Sequence, residues 1–327
     1  MNFIDKFLEK LKIDRHKKMV YANFVTKWVK IIFRTMFILG MAYVLLYPIL
    51  YLLSNSFAGP ADRFNPTVIW IPINYTLDSI KGAIVALDYW ASVGRTLVIL
   101  IPTVTIQLII CLLVGYGFAR FKFKGRETLF GLLLFTIIVP AQTMIIPLYV
   151  NYSLFWGIGP MMFPDYNSQM SLLNTPWTFY LSTLFGMGIR SGLYIFIFRQ
   201  FFRGMPKELE EAALIDGCGP LSVFRKIMVP NASASMITVV LFSVVWHWNE
   251  YYLSSLFYDS EFPISVTLSM IGSKISNITS MGGADLDLLR NHIVESGALL
   301  VLAPILIVYI FTQKYFTESI ERTGLVG

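Results

Sequence analysis

Three charged residues stand where charge is expensive: Arg190 inside an apolar run, and Glu250 and Glu295 near the outer ends of two others. A charge at the centre of a bilayer costs about 3 kcal/mol or more, so residues like these pair, reach water or serve transport. Arg190 has three ways to meet that cost: snorkelling outward, pairing with Glu250 or Glu295, or lining a wet cavity. The two glutamates are served equally well by a hydrated interface. Around Glu250, the stretch Trp246, His247, Trp248, Asn249, Tyr251 and Tyr252 mixes flat apolar faces with hydrogen-bonding groups. That mixture suits a sugar, and it suits an aromatic belt at a membrane edge just as well.

Bond-making chemistry finds no support. The three histidines, His16, His247 and His292, stand in no HExxH or GxSxG pattern. Cys111 and Cys218 form neither a disulfide framework nor a zinc site, so neither a metal nor another cofactor is expected. No GxxxxGK[ST] phosphate cradle occurs, and no cytoplasmic segment is long enough to fold as a nucleotide-binding domain. Any work drawn from ATP has to enter through another subunit.

The elements that position these residues follow from composition. Of 327 residues, 56% are apolar and only 14% charged, with a mean hydropathy of +0.63, far from the soluble norm of about 25% charged. The expectation is an all-α integral membrane protein. Apolar runs of about 20 residues, enough to cross some 30 Å of hydrocarbon, predict six transmembrane helices. These lie near Ile31–Leu53, Thr96–Ala119, Thr128–Val150, Phe179–Phe202, Met236–Phe257 and Ile293–Thr312. Gly186, Gly188, Arg190 and Gly192 interrupt the fourth; Pro140, Gln142 and Pro147 break the ladder of the third, hinting at a gate or a curved cavity wall. Residues 1–30 are basic and partly amphipathic and read as a surface-lying cytoplasmic helix, not a cleaved signal. The permease domain then covers 31–312, and 313–327 form a tail.

Charge sets the orientation. With six spans, 20 of the 26 lysines and arginines fall on the side of the termini, while acidic residues divide evenly. Both termini are therefore expected in the cytoplasm of a multi-pass plasma-membrane protein. The net charge of +6 is this loop excess rather than a sign of nucleic-acid binding.

Between the fourth and fifth spans, residues 203–231 read as two short helices. Pro206 opens the first, Glu208, Glu210 and Glu211 load its first turns, and Gly217 supplies a left-handed stop. Pro220 starts the second, with Val223, Phe224, Ile227 and Met228 on one face, and Pro230 ends it. The spacing Glu211-Ala212-Ala213, three residues, Gly217, nine residues, Ile227-Met228-Val229-Pro230 resembles the EAA loop of ATP-binding-cassette importer permeases, with Val229 in place of the usual Leu and Asp216 in its common place. Trp248-Asn249-Glu250 resembles an element of the sugar-importing branch that contains the smaller maltose permease subunit. The resemblance implies type I ABC importer permease architecture. It also implies partners: a second homologous permease, an ATPase dimer, an extracytoplasmic sugar-binding protein and surrounding lipid. On its terms Glu211, Ala212, Ala213, Asp216, Gly217, Ile227 and Pro230 couple to the ATPase. Ala212 and Ala213 allow close docking, Glu211 and Asp216 offer carboxylates to an arginine, and Gly217 reverses the chain.

Arg190, Trp248, Asn249 and Glu250 are expected along the substrate pathway. The third external loop, with Ser276, Asn277, Thr279, Met281 and Gly283, matches the place where the sugar branch reaches into its binding protein; a surface connection with no partner fits that composition too. An ion-driven secondary transporter, with repeated halves and a mid-membrane carboxylate, and a membrane-embedded lipid-modifying enzyme are the rival readings.

Overall fold

The computed structural model describes residues 15–63, 65, 67–68, 70–154, 171–278 and 284–324. The chain divides into two compact units, Met1–Leu77 and Asp78–Gly327. Among the described residues the secondary structure is helical apart from one isolated bridge between Ala58 and Tyr75.

In the first unit, α1 (Arg15–Phe57) runs unbroken, with Pro48 inside it. The helix crosses residue 30, where the basic segment leads straight into the apolar run. Its side chains stay exposed over most of its length, as befits a helix clad in lipid or by a partner. A compact cap follows. Asp62 accepts hydrogen bonds from the Asn74 backbone N–H at 2.6 Å and from Asn74 Nδ2 at 2.9 Å, which hold its carboxyl below the ordinary value.

The second unit opens with α2 (Asp78–Ala86), a helix in the stretch expected to be an external loop. Asp88, left-handed at φ 46°, turns the chain sharply into α3 (Tyr89–Arg120). Then come α4 (Arg126–Ile138), α5 (Ile145–Ser153), α6 (Trp177–Leu184), α7 (Ser191–Gly204), α8 (Glu208–Ile215), α9 (Pro220–Asn231) and α10 (Ser233–Trp248). Short helices α11 (Tyr252–Phe257), α12 (Ile264–Ser269) and α13 (Ile271–Ile278) precede α14 (Ala284–Gly324).

The six expected spans are met only in part. Three described helices are long and apolar enough to cross a membrane: Asn23–Phe57, Tyr89–Arg120 and Arg290–Lys314. Two bent pairs, Arg126–Ile138 with Gln142–Ser153 and Pro220–Asn231 with Ser233–Trp248, raise that to five if each is one span. The fourth expected span is two helices, α6 and α7, because Gly186 at φ 74° and Arg190 at φ 60° turn the backbone left-handed between them. The fifth ends at Trp248 rather than Phe257, and the third breaks after Val139, where Pro140 denies the ladder a donor.

Lipid tails are as apolar as leucine, so helices in a bilayer are held by close packing and polar contacts more than by a hydrophobic drive. Gly115 supplies the closest approach. A Cβ there would lie 2.5 Å from Phe198 Cβ and 3.1 Å from the Arg199 nitrogen and the Ile195 carbonyl, all on α7. Gly115→Ala is expected to destabilise the α3–α7 pair by about 1–3 kcal/mol through overpacking. The measurement is the melting temperature of the detergent-solubilised protein; an unchanged value would contradict this crossing.

Candidate functional site

The 203–231 hairpin is packed onto the long apolar helices. Helix α8 begins at Glu208, so Pro206 sits just outside it rather than at its first position. Its end carries both bonds of a Schellman motif: the Cys218 N–H donates to the Ala213 carbonyl at 3.0 Å and the Gly217 N–H to the Leu214 carbonyl at 3.1 Å. Gly217 takes the expected left-handed conformation, φ 82°. Pro220 occupies the first turn of α9. Phe224–Met228 then widens to a π turn, in which the Val229 N–H reaches back to the Phe224 carbonyl. Pro230, two residues from that turn, brings no N–H and needs room for its ring, and a wider turn relieves the crowding.

Val223, Phe224 and Met228 pack with Cys111 and Leu112 of α3, Tyr194, Phe198 and Phe202 of α7 and Val239 of α10 in one buried cluster. The face expected for α9 is therefore the buried one. Ala213 faces the same cluster, whereas Glu211, Ala212, Asp216 and Gly217 are exposed. Ala213 is thus a packing residue, a distinction that the paired alanines do not reveal. Ile227 is half-buried and Pro230 exposed. Sequence reading missed the apolar edge beside Glu211: Ile215 is 85% and Leu221 69% exposed, with Leu209 and Leu214 also outward.

An ion pair clamps this hairpin. Arg120, at the end of α3, donates to the Met205 carbonyl at 2.9 Å and lies 3.1 Å from Glu210, with both side chains largely buried. Glu210, not Glu211, is the glutamate turned inward. Nearby, the buried Arg199 of α7 meets Glu127 of α4 at 3.2 Å and lies 3.6 Å over the Phe130 ring.

The second cluster surrounds the break before α7. Gln107, fully buried in α3, donates from Nε2 to the Ile189 carbonyl at 2.7 Å and toward Ser191 Oγ at 2.9 Å. Its Oε1 accepts from Ser243 Oγ at 2.5 Å. His247 Nδ1 lies 2.8 Å from the Ser243 carbonyl, an acceptor only, so Nδ1 carries a proton and donates it. One polar chain thus ties α3, α10 and the break together. Gly188 sits against it: a Cβ there would lie 2.6 Å from Thr183 Oγ1 and 3.1 Å from Gln107 Nε2. The left-handed turn at a non-glycine residue costs on the order of 1 kcal/mol, and these bonds over-determine it.

The Arg190 guanidinium lies 4.3 Å above the Trp246 ring and makes no ion pair with Glu250 or Glu295. The pairing considered from the sequence gives way to a cation–π contact, because Glu250 is used elsewhere: its Oε1 accepts the Leu253 N–H at 2.7 Å, at the start of α11. Glu295 lies 3.8 Å from His292. Trp248 is buried, its Nε1 donating to the Val301 carbonyl at 3.1 Å, so it supports the outer core with Leu100, Val104 and Ile264 rather than a pathway surface. Asn249 is exposed, its Nδ2 bonded to the Val245 carbonyl at 2.8 Å. Of the expected pathway residues, Arg190 and Asn249 are exposed, and the exposed neighbour that completes the site is Trp246.

The expected third external loop is helical over α12 and α13, and Ser276 and Asn277 lie in the last turn of α13. Thr279, Met281 and Gly283 lie outside the described residues. No cluster that could hold a metal ion occurs among the described residues.

Residues 107–322 match the family described as binding-protein-dependent transport system inner membrane component. Protein LplC of Bacillus subtilis (strain 168) is 28% identical over 300 residues, 89% of this chain and 93% of that protein. The arabinooligosaccharides transport system permease protein AraQ of Halalkalibacterium halodurans is 27% identical over 292 residues, covering 88% of this chain and 93% of its own. A bacterial ABC transporter involved in the import of the acidic polysaccharide alginate superposes with a TM-score of 0.69 at 21% identity, covering 89% of this chain and 98% of that chain, a likeness of fold.

Proposed function

This chain belongs to the family of inner-membrane components of binding-protein-dependent transport systems, and from that premise we propose that it forms half of the translocation pathway of an ATP-driven importer of oligosaccharides. It is a multi-pass membrane permease component, and its relatives are transport permeases rather than enzymes. The remaining half would be a second permease of the same kind, with both termini and the 203–231 hairpin on the cytoplasmic side, where an ATPase dimer docks.

The observation that carries the reading is the hairpin's two-sided construction. One side is packed into the cluster shared with α3, α7 and α10, and the other offers Glu211, Ala212 and Asp216 beside the apolar edge of Ile215 and Leu221. A displacement delivered to the outer side passes directly to three membrane helices. Sugar as cargo is supported by relatives such as AraQ and by the aromatic and amide groups at Trp246 and Asn249. On this proposal the stretch with Ser276, Asn277, Thr279, Met281 and Gly283 would lie on the side from which a sugar-binding protein delivers, and contact between them is part of it.

The test is uptake by proteoliposomes holding the chain, its partner permease and the ATPase, with the binding protein outside and a panel of labelled oligosaccharides. Accumulation that needs both ATP and the binding protein is expected. Accumulation driven by an ion gradient without ATP would overturn the reading.

A further inference from the structure

Resting on that importer reading, we propose that Arg190 and Trp246 form a subsite for the carboxylate of an acidic sugar, so that the cargo is a uronate-bearing oligosaccharide. Arg190 precedes α7, which has 14 residues and ends at Gly204 on the cytoplasmic side. At 1.5 Å per residue the arginine backbone stands about 20 Å above that side, within the hydrocarbon slab. An exposed guanidinium at that depth is tolerated on a wet surface or against a counter-charge, not against acyl chains.

Among the described residues no carboxylate pairs with Arg190. Glu250 is spent on the start of α11 and Glu295 lies beside His292, while the Arg190 guanidinium lies over the Trp246 ring. Among the described residues no hydrogen bond takes up the guanidinium N–H groups, the fork that takes a carboxylate through two parallel bonds. Trp246, 41% exposed, adds a flat apolar surface of the kind that the faces of pyranose rings cover, and Asn249 caps the end of α10 three residues on. Position is fixed from behind: Gln107 holds the Ile189 carbonyl and reaches Ser191, so the residues on both sides of Arg190 are anchored to a buried network. A side chain that only needed to escape lipid would not require such anchoring. It is what a preorganised ligand contact requires.

The experiment uses the complete complex with its binding protein in proteoliposomes. The probes are short oligogalacturonates, oligoglucuronates and oligomannuronates, their methyl esters, and neutral arabino- and xylo-oligosaccharides. Wild type is expected to accumulate at least one uronate series at least tenfold faster than its methyl ester. Arg190→Gln should lose that preference, dropping uptake of the acid about tenfold and leaving the ester unchanged, while Arg190→Lys keeps part of it. The binding protein is the same in all arms, so a change in the ratio belongs to Arg190. Equal loss with acid and ester would assign Arg190 to contact with the partner permease and overturn the proposal. So would wild-type transport confined to neutral sugars, which leaves the importer reading intact. Absence of ATP-dependent uptake with every probe overturns both.

Discussion

With lysine in place of Glu211, the chain inserts and accumulates at wild-type levels, but uptake by the complex falls more than tenfold. Glu211 is exposed on α8 and takes part in no ion pair among the described residues, so reversing its charge removes nothing from the fold. An exposed substitution of this kind changes stability by no more than about 0.5 kcal/mol. On the docking surface the effect is larger, since a like charge brought against a partner's arginine costs several kcal/mol. Gly217→Asp reports on the same surface by another route. A Cβ at Gly217 meets nothing within 4 Å, and aspartate tolerates the left-handed conformation better than most residues, so the hairpin forms with a carboxylate projecting from its turn. Immunoblots of membranes alongside uptake assays separate insertion from coupling. Normal uptake in both variants would remove the hairpin from the coupling path.

Arg120→Leu gives the second large effect. Its guanidinium holds Glu210 at 3.1 Å and the Met205 carbonyl at 2.9 Å, largely away from water. Removing one partner of a buried pair leaves an uncompensated charge and costs about 3–5 kcal/mol. That loss falls on the joint between α3 and the hairpin. The complex should then hydrolyse ATP without moving cargo, because the hairpin can follow the ATPase while α3 does not follow the hairpin. Arg120→Leu combined with Glu210→Met should recover part of the uptake, since no charge is left stranded; purely additive losses would count against a direct contact.

Hydropathy located the long spans because a 20-residue apolar window is a strong signal, and Tyr89–Arg120 and Arg290–Lys314 come close to their expected places. It is blind to backbone conformation. The glycines and Arg190 that interrupt residues 179–202 mark where the chain breaks, but only φ at Gly186 and Arg190 shows that it forms two helices. Helix chemistry was legible in the hairpin: Gly217, Pro220 and the Val223, Phe224 and Met228 face all act as their residue types predict. Rotation about a helix axis was not legible. Glu210 and Glu211 are neighbours of one type, as are Ala212 and Ala213, and only tertiary packing decides which member turns inward. Trp248 and Trp246 differ in the same way. Gln107 was invisible, a single amide in a long apolar run whose partners lie more than eighty positions away in the chain.

The broken helix also bears on how the chain enters the bilayer during synthesis. Helix α6 has 8 residues and α7 has 14, so at 1.5 Å per residue neither alone crosses a slab of about 30 Å. Released into lipid by themselves, they would expose the carbonyl of Ile189 to acyl chains, at a cost of several kcal/mol. The Gln107 amide that caps this carbonyl lies in α3, which leaves the ribosome earlier. The donor is therefore waiting when its acceptor emerges, and vectorial synthesis lets the two halves leave the translocon against a helix already in place. A circularly permuted chain that makes α6 and α7 before α3 would lose that order and present the quality-control proteases with an unsealed span.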